Sequence, residues 1–226
     1  MYDIHPDPGF KVVLASGNAG KLAELRELFA GSGIELIAQS RLGIADAEET
    51  GLTFVENAIL KARHAARASG LPALGDDSGL CVDALNGAPG LYSARYAGTQ
   101  GDSRANIEKL LRELDGVADA RRGAHFNCVL ALLRHTEDPD PLIAQARWPG
   151  RILHAPRGER GFGYDPVFLP HDGDGLSAAE LDPALKNRIS HRGQALAALL
   201  RDLPAALNAA GPLAEARDGG RVAGAH

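Results

Sequence analysis

Two adjacent carboxylates, Asp76 and Asp77, stand inside an otherwise apolar run from Leu71 to Val82 that reads LPALGDDSGLCV. The apolar residues on either side demand burial. Charge taken out of water is costly unless it is paired, binds a metal or handles a proton. A chain with this stretch is therefore constrained to a fold that buries a strand and opens a polar site at its end. The expected order is a short apolar run, Leu71 to Leu74, delivering both acids, then Ser78 and Gly79, then a second apolar run, Leu80 to Val82. Gly87, Pro89 and Gly90 punctuate the loop that follows. The acid pair is the first candidate for holding a hard divalent cation and activating water.

The remainder of the chain supplies elements to build around that strand. Lys11 to Ala15 reads as a short strand, Ser16 to Lys21 (SGNAGK) as a loop, and Lys21 to Ala30 as a helix with Leu22, Leu25, Leu28 and Phe29 on one side. Ile34 to Ala38 is a second strand. This strand–loop–helix–strand opening indicates an α/β fold. Thr53 and Glu56 form a T-x-x-E capping box, which starts a helix that should run to Ser69 and stop at Gly70, before Pro72. On that helix Asn57, Lys61 and His64 share one polar face. Asp102 or Ser103 caps a further helix, and Ala124 to Arg134 is a long strand. Leu142 to Trp148 and Arg151 to His154 are expected as two arms of a hairpin around Pro149-Gly150. Tyr164 to Pro170 reads as a short strand, Asp182 with Pro183 opens a short helix, and Gln194 to Leu203 closes the fold with an amphipathic helix. The expected organisation is a leader over 1–10, one domain over 11–203 and an Ala/Gly-rich tail over 204–226.

The 226 residues are 45% hydrophobic and 23% charged, enough for a substantial core. The net charge of −5 argues against a general nucleic-acid binder but allows a small anionic ligand held by a few local cations. Cys81 and Cys128 both fall in apolar runs and read as buried, reduced thiols, which fits a cytoplasmic protein. No apolar stretch has spanning length, so no membrane partner is expected.

Four further groups of residues carry chemistry. In Ser16, Gly17, Asn18, Ala19, Gly20 and Lys21 the glycines let backbone approach an anion, and a helix N-terminus and a lysine follow. The spacing is not that of a Walker A loop; a tight strand–helix turn with a solvated lysine accounts for it equally. Glu48 and Glu49 could join Asp76 and Asp77 in holding Mg2+, or be solvated loop charges, and coupling between like charges would raise one acid's proton affinity. Lys61 is a single charge on a helix face. Within GFGYDPVF, Phe162 or Tyr164 could stack on a base beside Gly163, or the segment could be an aromatic core turn capped locally by Asp165. Lys186, His191 and Arg192, with Ser190, gather polar and cationic side chains at a helix junction.

Six segments, SGNAGK, EETGLTFVENAILKA, DDSGL, GAPGLYSARYAG, GFGYDPVF and SHRGQAL, together resemble the inosine triphosphate pyrophosphatase family, also called the Ham1-like or dITP/XTP pyrophosphatases, in its bacterial branch. They occur in family order from about Lys11 to Leu203. The resemblance implies an α/β fold of two lobes with a long mixed β-sheet flanked by helices and a nucleotide cleft between the lobes. It implies a homodimer that uses Mg2+ to cleave ITP, dITP and XTP to the monophosphate and pyrophosphate. Carried onto this sequence, Ser16 to Lys21 form the substrate loop and Asp77 is the general base and a metal ligand, with Ser78 beside the substrate. Glu48 is a metal ligand and Glu49 shares the role; Asp76 supports the base or the metal's waters. Lys61 lies near the triphosphate, Phe162 to Asp165 recognise the base, and Lys186, His191 and Arg192 contact substrate. The related Maf-like pyrophosphatases fit less well, because GFGYDPVF and SHRGQAL argue against them.

Overall fold

The computed structural model describes residues 10–209. Its centre is a six-stranded mixed sheet in the order β2-β1-β3-β4-β5-β6. The strands are β1 (Phe10–Ala15), β2 (Ile34–Ala38), β3 (Ala73–Val82), β4 (Gly123–Leu133), β5 (Leu142–Ile152) and β6 (Phe168–Pro170). The helices are α1 (Ala19–Leu28), α2 (Phe54–Ser69), α3 (Ser103–Glu113), α4 (Pro183–Ile189) and α5 (His191–Ala209). β1 runs parallel to both β2 and β3, and the later pairings are antiparallel.

This strand order creates the site. The crossover through α1 carries the chain from β1 to β2 on one side, and the next crossover, through α2, carries it to β3 on the other. β1 is thus a switch point, where open α/β sheets form a crevice. β3 pairs with β1 only over Ala73, Leu74 and Gly75. From Asp76 onward β3 pairs with β4 alone, as Asp76↔Leu130, Asp77↔Val129 and Ser78↔Cys128. The acids are therefore central in one continuous strand, not at the end of a short one as expected. The long antiparallel partner β4 keeps the backbone extended through the polar residues.

Alternation along β3 separates its residues between two faces. Leu74 packs with Cys128, Leu130, Ala195, Leu196 and Leu199, under α5. On the other face α2 lies so close that a Cβ on Gly75 would meet the Ala58 carbonyl oxygen at 2.1 Å. Ala58 and Ala62 of α2 pack there with Val129, Ala131 and Leu133. Toward β6 a separate core gathers Leu80, Leu110, Trp148, Phe168 and Leu181.

Local signals set several boundaries. Thr53 accepts from the Glu56 N–H and Gly70 ends α2 in the left-handed region, as the capping box and the glycine predict. Asp102 and Asp182 cap α3 and α4. Other expectations are corrected. β5 is one strand through Pro149, with no hairpin. Pro149 is tolerated because its carbonyl accepts from the His171 N–H, so its missing N–H lies on the same side, where β6 has just ended. Tyr164 precedes a 3-10 turn, Asp165–Val167, and the strand begins only at Phe168. α1 starts at Ala19 because the Asn18 side chain caps it, so half of the expected loop is helical. α5 begins at His191 and continues through Pro204 to Ala209. The expected leader, up to residue 9, and the tail beyond 209 lie outside the described residues. Both cysteines are free thiols, Cys128 fully buried. Among the described residues no helix is long and apolar enough to cross a membrane.

Candidate active site

A cavity of about 880 Å³ opens where β1 leaves β3. Every residue expected at the site lines it except Asp76. The neighbouring acids have been sent to opposite faces of the sheet.

Asp77 faces α2. Its Oδ1 accepts from Lys61 Nζ at 2.7 Å, and Lys61 also reaches Glu49 at 3.0 Å. The Asp77 Oδ2 atom is buried and accepts no hydrogen bond. Burial raises the proton affinity of Asp77, Lys61 opposes the rise, and burial prevails. A like charge, Glu49, adds to the rise. For Lys61 the balance runs the other way: burial lowers its pKa, but Asp77 and Glu49 outweigh it and keep the ammonium charged. Glu49 is partly buried, yet Lys61 holds it below the usual carboxylate range.

Asp76 faces α1 and α5. Lys21 Nζ donates to its Oδ1 and Arg192 Nε to its Oδ2, each at 2.8 Å. Burial alone would raise its pKa, but these two cations hold the carboxyl well below its ordinary range. Arg192 also donates to Ser78 Oγ at 2.9 Å and to Glu24, and Glu24 accepts from Lys186 Nζ at 2.8 Å. Lys186 in turn meets Asp165 at 2.7 Å. Asp165 also accepts from the Phe162 N–H, so it is the internal cap of its own loop. Lys21, Lys186 and Arg192 are thus set against Asp76, Glu24 and Asp165 in one connected network. Glu24 and the partner choices within it were not apparent in the sequence; the helix face of α1 carries no local mark for them.

The acidic loop before α2 has no secondary structure of its own. The polar face of α2 holds it. Asn57 Oδ1 accepts from the Gly51 N–H at 2.8 Å, Lys61 takes Glu49, and His64 Nε2 meets the Ala45 carbonyl at 3.0 Å. The spacing of these three residues was legible; their shared purpose was not. Gln39 donates to Asp46, whose carboxylate closes on Gly17. Glu48 lines the cavity and is exposed. The four acids are not assembled as one cluster: among the described residues no three His, Cys, Asp or Glu side chains are gathered in a metal-holding group.

At the far side of the cavity Phe162 packs against Gly20, with Lys186 Nζ 5.4 Å and Arg192 Cζ 5.8 Å from its ring centre. Tyr164 belongs to the core, and its hydroxyl donates to the Ser93 carbonyl. Phe162, by contrast, is partly exposed and lines the cavity. His191 stacks on Phe126 with ring centres 4.8 Å apart. Burial and the Arg192 charge hold the His191 pKa well below its ordinary value, so the ring is neutral, and its Nδ1 has no partner.

Sheet and cavity together define a class: an α/β protein whose cation-lined cleft lies at the switch point of a mixed sheet. Within that class the chain belongs to the Ham1 family, which it matches over residues 12–202. It is 61% identical to the dITP/XTP pyrophosphatase of Xanthomonas oryzae pv. oryzae over 194 residues, 86% of this chain and 97% of that protein. It is 58% identical to the dITP/XTP pyrophosphatase of Yersinia pestis over 190 residues, 84% of this chain and 96% of that one. A HAM1 protein from Coxiella burnetii superposes with a TM-score of 0.79 at 51% identity, covering 87% of this chain and 99% of its own. The Staphylococcus aureus Ham1 protein does so with a TM-score of 0.76 at 40% identity, with the same coverage.

Proposed function

We infer that the chain hydrolyses aberrant purine nucleoside triphosphates (dITP, ITP and XTP) to the monophosphate and pyrophosphate, and so clears them from the nucleotide pool. High identity to relatives named for this activity supports the substrate class. One observation carries the mechanism: Asp77 keeps a buried oxygen with no hydrogen-bond donor, inside a cavity lined by cations.

Asp77 Oδ2 is the general base. It takes a proton from water, whose oxygen attacks the phosphorus nearest the sugar as pyrophosphate leaves. Its raised proton affinity suits that work. Lys61 holds the opposite oxygen and keeps Asp77 oriented. Lys21, with Lys61 and the loop Ser16–Gly20, binds the triphosphate. Phe162 stacks on the base; Gly163, Tyr164 and Asp165 shape that subsite, and Lys186, His191 and Arg192 contact the substrate beside it. Hypoxanthine and xanthine carry a carbonyl at position 6 where adenine carries an amino group. Donors placed there would be left unpaired by adenine, which gives strong discrimination.

The donor set also fits Mg2+. Glu48, exposed in the cavity, and Glu49, whose Oε2 is held only by Arg95 at 3.4 Å, offer hard oxygen ligands beside the Asp77 carboxylate. Asp76 supports the site through Lys21 and Arg192, since both its oxygens are taken. A magnesium ion bound there supplies positive charge next to the phosphoryl oxygens. We assign the working form as a cytoplasmic homodimer of two-lobed subunits.

Incubation with dITP and Mg2+ tests the reading. The products expected are dIMP and pyrophosphate, with dTTP, UTP and 7-methyl-GTP turned over far more slowly. Release of orthophosphate, or a preference for dTTP, UTP or 7-methyl-GTP, would overturn it.

A further inference from the structure

The cavity is lined by five cationic side chains: Lys21, Lys61, Arg95, Lys186 and Arg192. Four of them are committed. Lys21 and Arg192 meet Asp76 at 2.8 Å, and Lys61 and Lys186 meet Asp77 and Asp165 at 2.7 Å, all with side chains no more than 14% exposed. Arg95 differs. It reaches Glu49 at 3.4 Å, with its own side chain 36% and that of Glu49 28% exposed. An ion pair of that length and exposure holds weakly.

The backbone that carries Arg95 is, by contrast, firmly held. It ends a 3-10 turn, Gly90–Arg95. Ser93 Oγ donates to the Gly90 carbonyl at 2.6 Å and accepts from the Leu80 N–H of β3 at 2.9 Å. The Ser93 carbonyl accepts from the Tyr164 hydroxyl at 2.9 Å. The Arg95 guanidinium leans over the Tyr92 ring, 5.3 Å from its centre. A fixed stalk with a lightly held guanidinium is the arrangement that lets a cation exchange a weak partner for a phosphate, which it can grip with two parallel hydrogen bonds.

Its place along the cleft says which phosphate. Phe162 lies against Lys186 and Arg192. Arg192 leads through Asp76 to Lys21. The Asp77–Lys61 pair follows, then Glu49, then Arg95. Arg95 thus shares Glu49 with Lys61, the lysine that holds Asp77, and lies on the side of the cavity where the phosphates are cut.

On the reading that this cleft holds a purine triphosphate, we propose that Arg95 binds the terminal phosphates and so grips the departing pyrophosphate. No proton or bond change at Arg95 is involved.

The test measures inhibition by each product separately, using Arg95→Gln and Arg95→Lys in the full chain. For Arg95→Gln the inhibition constant for pyrophosphate and the KM for dITP should each rise about tenfold, the loss of one charge-assisted contact. The constant for dIMP should stay within about twofold, because dIMP lacks the phosphates that Arg95 grips. Arg95→Lys, which keeps the charge without the fork, should fall between. Unchanged pyrophosphate inhibition overturns the proposal. So does a parallel rise for both products, which would mean that Arg95 only positions Glu49. Failure of the wild-type protein to yield pyrophosphate from dITP would instead remove the underlying reading, and is seen before any variant is made.

Discussion

At the scale of the residue, Asp76 and Asp77 show how little sequence adjacency means in a strand. Successive side chains point to opposite faces. One acid becomes a fully paired structural charge and the other keeps a buried oxygen with no hydrogen-bond donor. Asp77→Asn should lower kcat by about 100- to 10,000-fold with the circular dichroism spectrum unchanged. Retention of more than about a tenth of the activity would remove Asp77 from the role of base. The pH profile tests the same atom. In the proposed role of base Asp77 must be ionised, and burial raises its pKa, so kcat/KM should fall as pH drops through that raised value. Lys61 opposes the rise. In Lys61→Ala the acidic limb of the profile should therefore move to higher pH, by about one unit or more, alongside a loss of rate. A limb that stays in place would show that it belongs to another group.

At the scale of the element, the approach of α2 to β3 is the critical distance. Lys61 rides on α2, and the helix can settle at that depth only because position 75 has no side chain. Gly75→Ala would drive a methyl into the Ala58 carbonyl, 2.1 Å away. The expected cost is about 1–3 kcal/mol, with Tm lower by about 2–4 °C for each kcal/mol. Activity should fall further than stability implies, since Lys61 is displaced from Asp77; differential scanning calorimetry and turnover on the same sample check both. Elements with their own end signals were legible. Thr53 and Gly70 mark α2 through hydrogen bonds and a left-handed turn formed within a few residues. β5 was not, because Pro149-Gly150 is a good local turn signal. The ladders with β4, Phe126↔Trp148 to Gly123↔Arg151, and with β6, Gly150↔Pro170 to Ile152↔Phe168, keep it straight.

For the whole molecule, the network through Asp76 joins distant elements: Lys21 and Glu24 from α1, Lys186 from α4 and Arg192 from α5. Removing one charge from a buried network leaves its partners uncompensated, typically at about 3–5 kcal/mol. Asp76→Asn should therefore lower Tm by about 10 °C, more than Asp77→Asn does. The sign with pH follows from the lowered pKa. The folded state binds the Asp76 proton less readily than the unfolded chain, so its stabilisation is full above the ordinary aspartate pKa of about 4 and is lost as pH falls below it. Acid unfolding followed by fluorescence should show a shallower loss of stability below about pH 4 for Asp76→Asn than for wild type. An identical slope would remove Asp76 from the stabilising role.

The amino-acid sequence alone determined what short-range physics can write: capped helices, the strands β1, β2 and β4 to within a residue or so, and a set of short motifs whose members nearly all reached one cavity. Motifs such as SGNAGK and GFGYDPVF keep their residues together because backbone geometry over a few bonds holds them there. Tertiary structure decided the partners. Glu24 meets Lys186 across 162 positions and Arg192 across 168, and nothing local to α1 announces either contact. It also decided which acid of the central pair stays available, since that depends on which helix covers which face of β3. Adjacent in sequence and separated by the sheet, Asp76 and Asp77 acquire their different roles only when α2 packs on one side and α1 with α5 on the other.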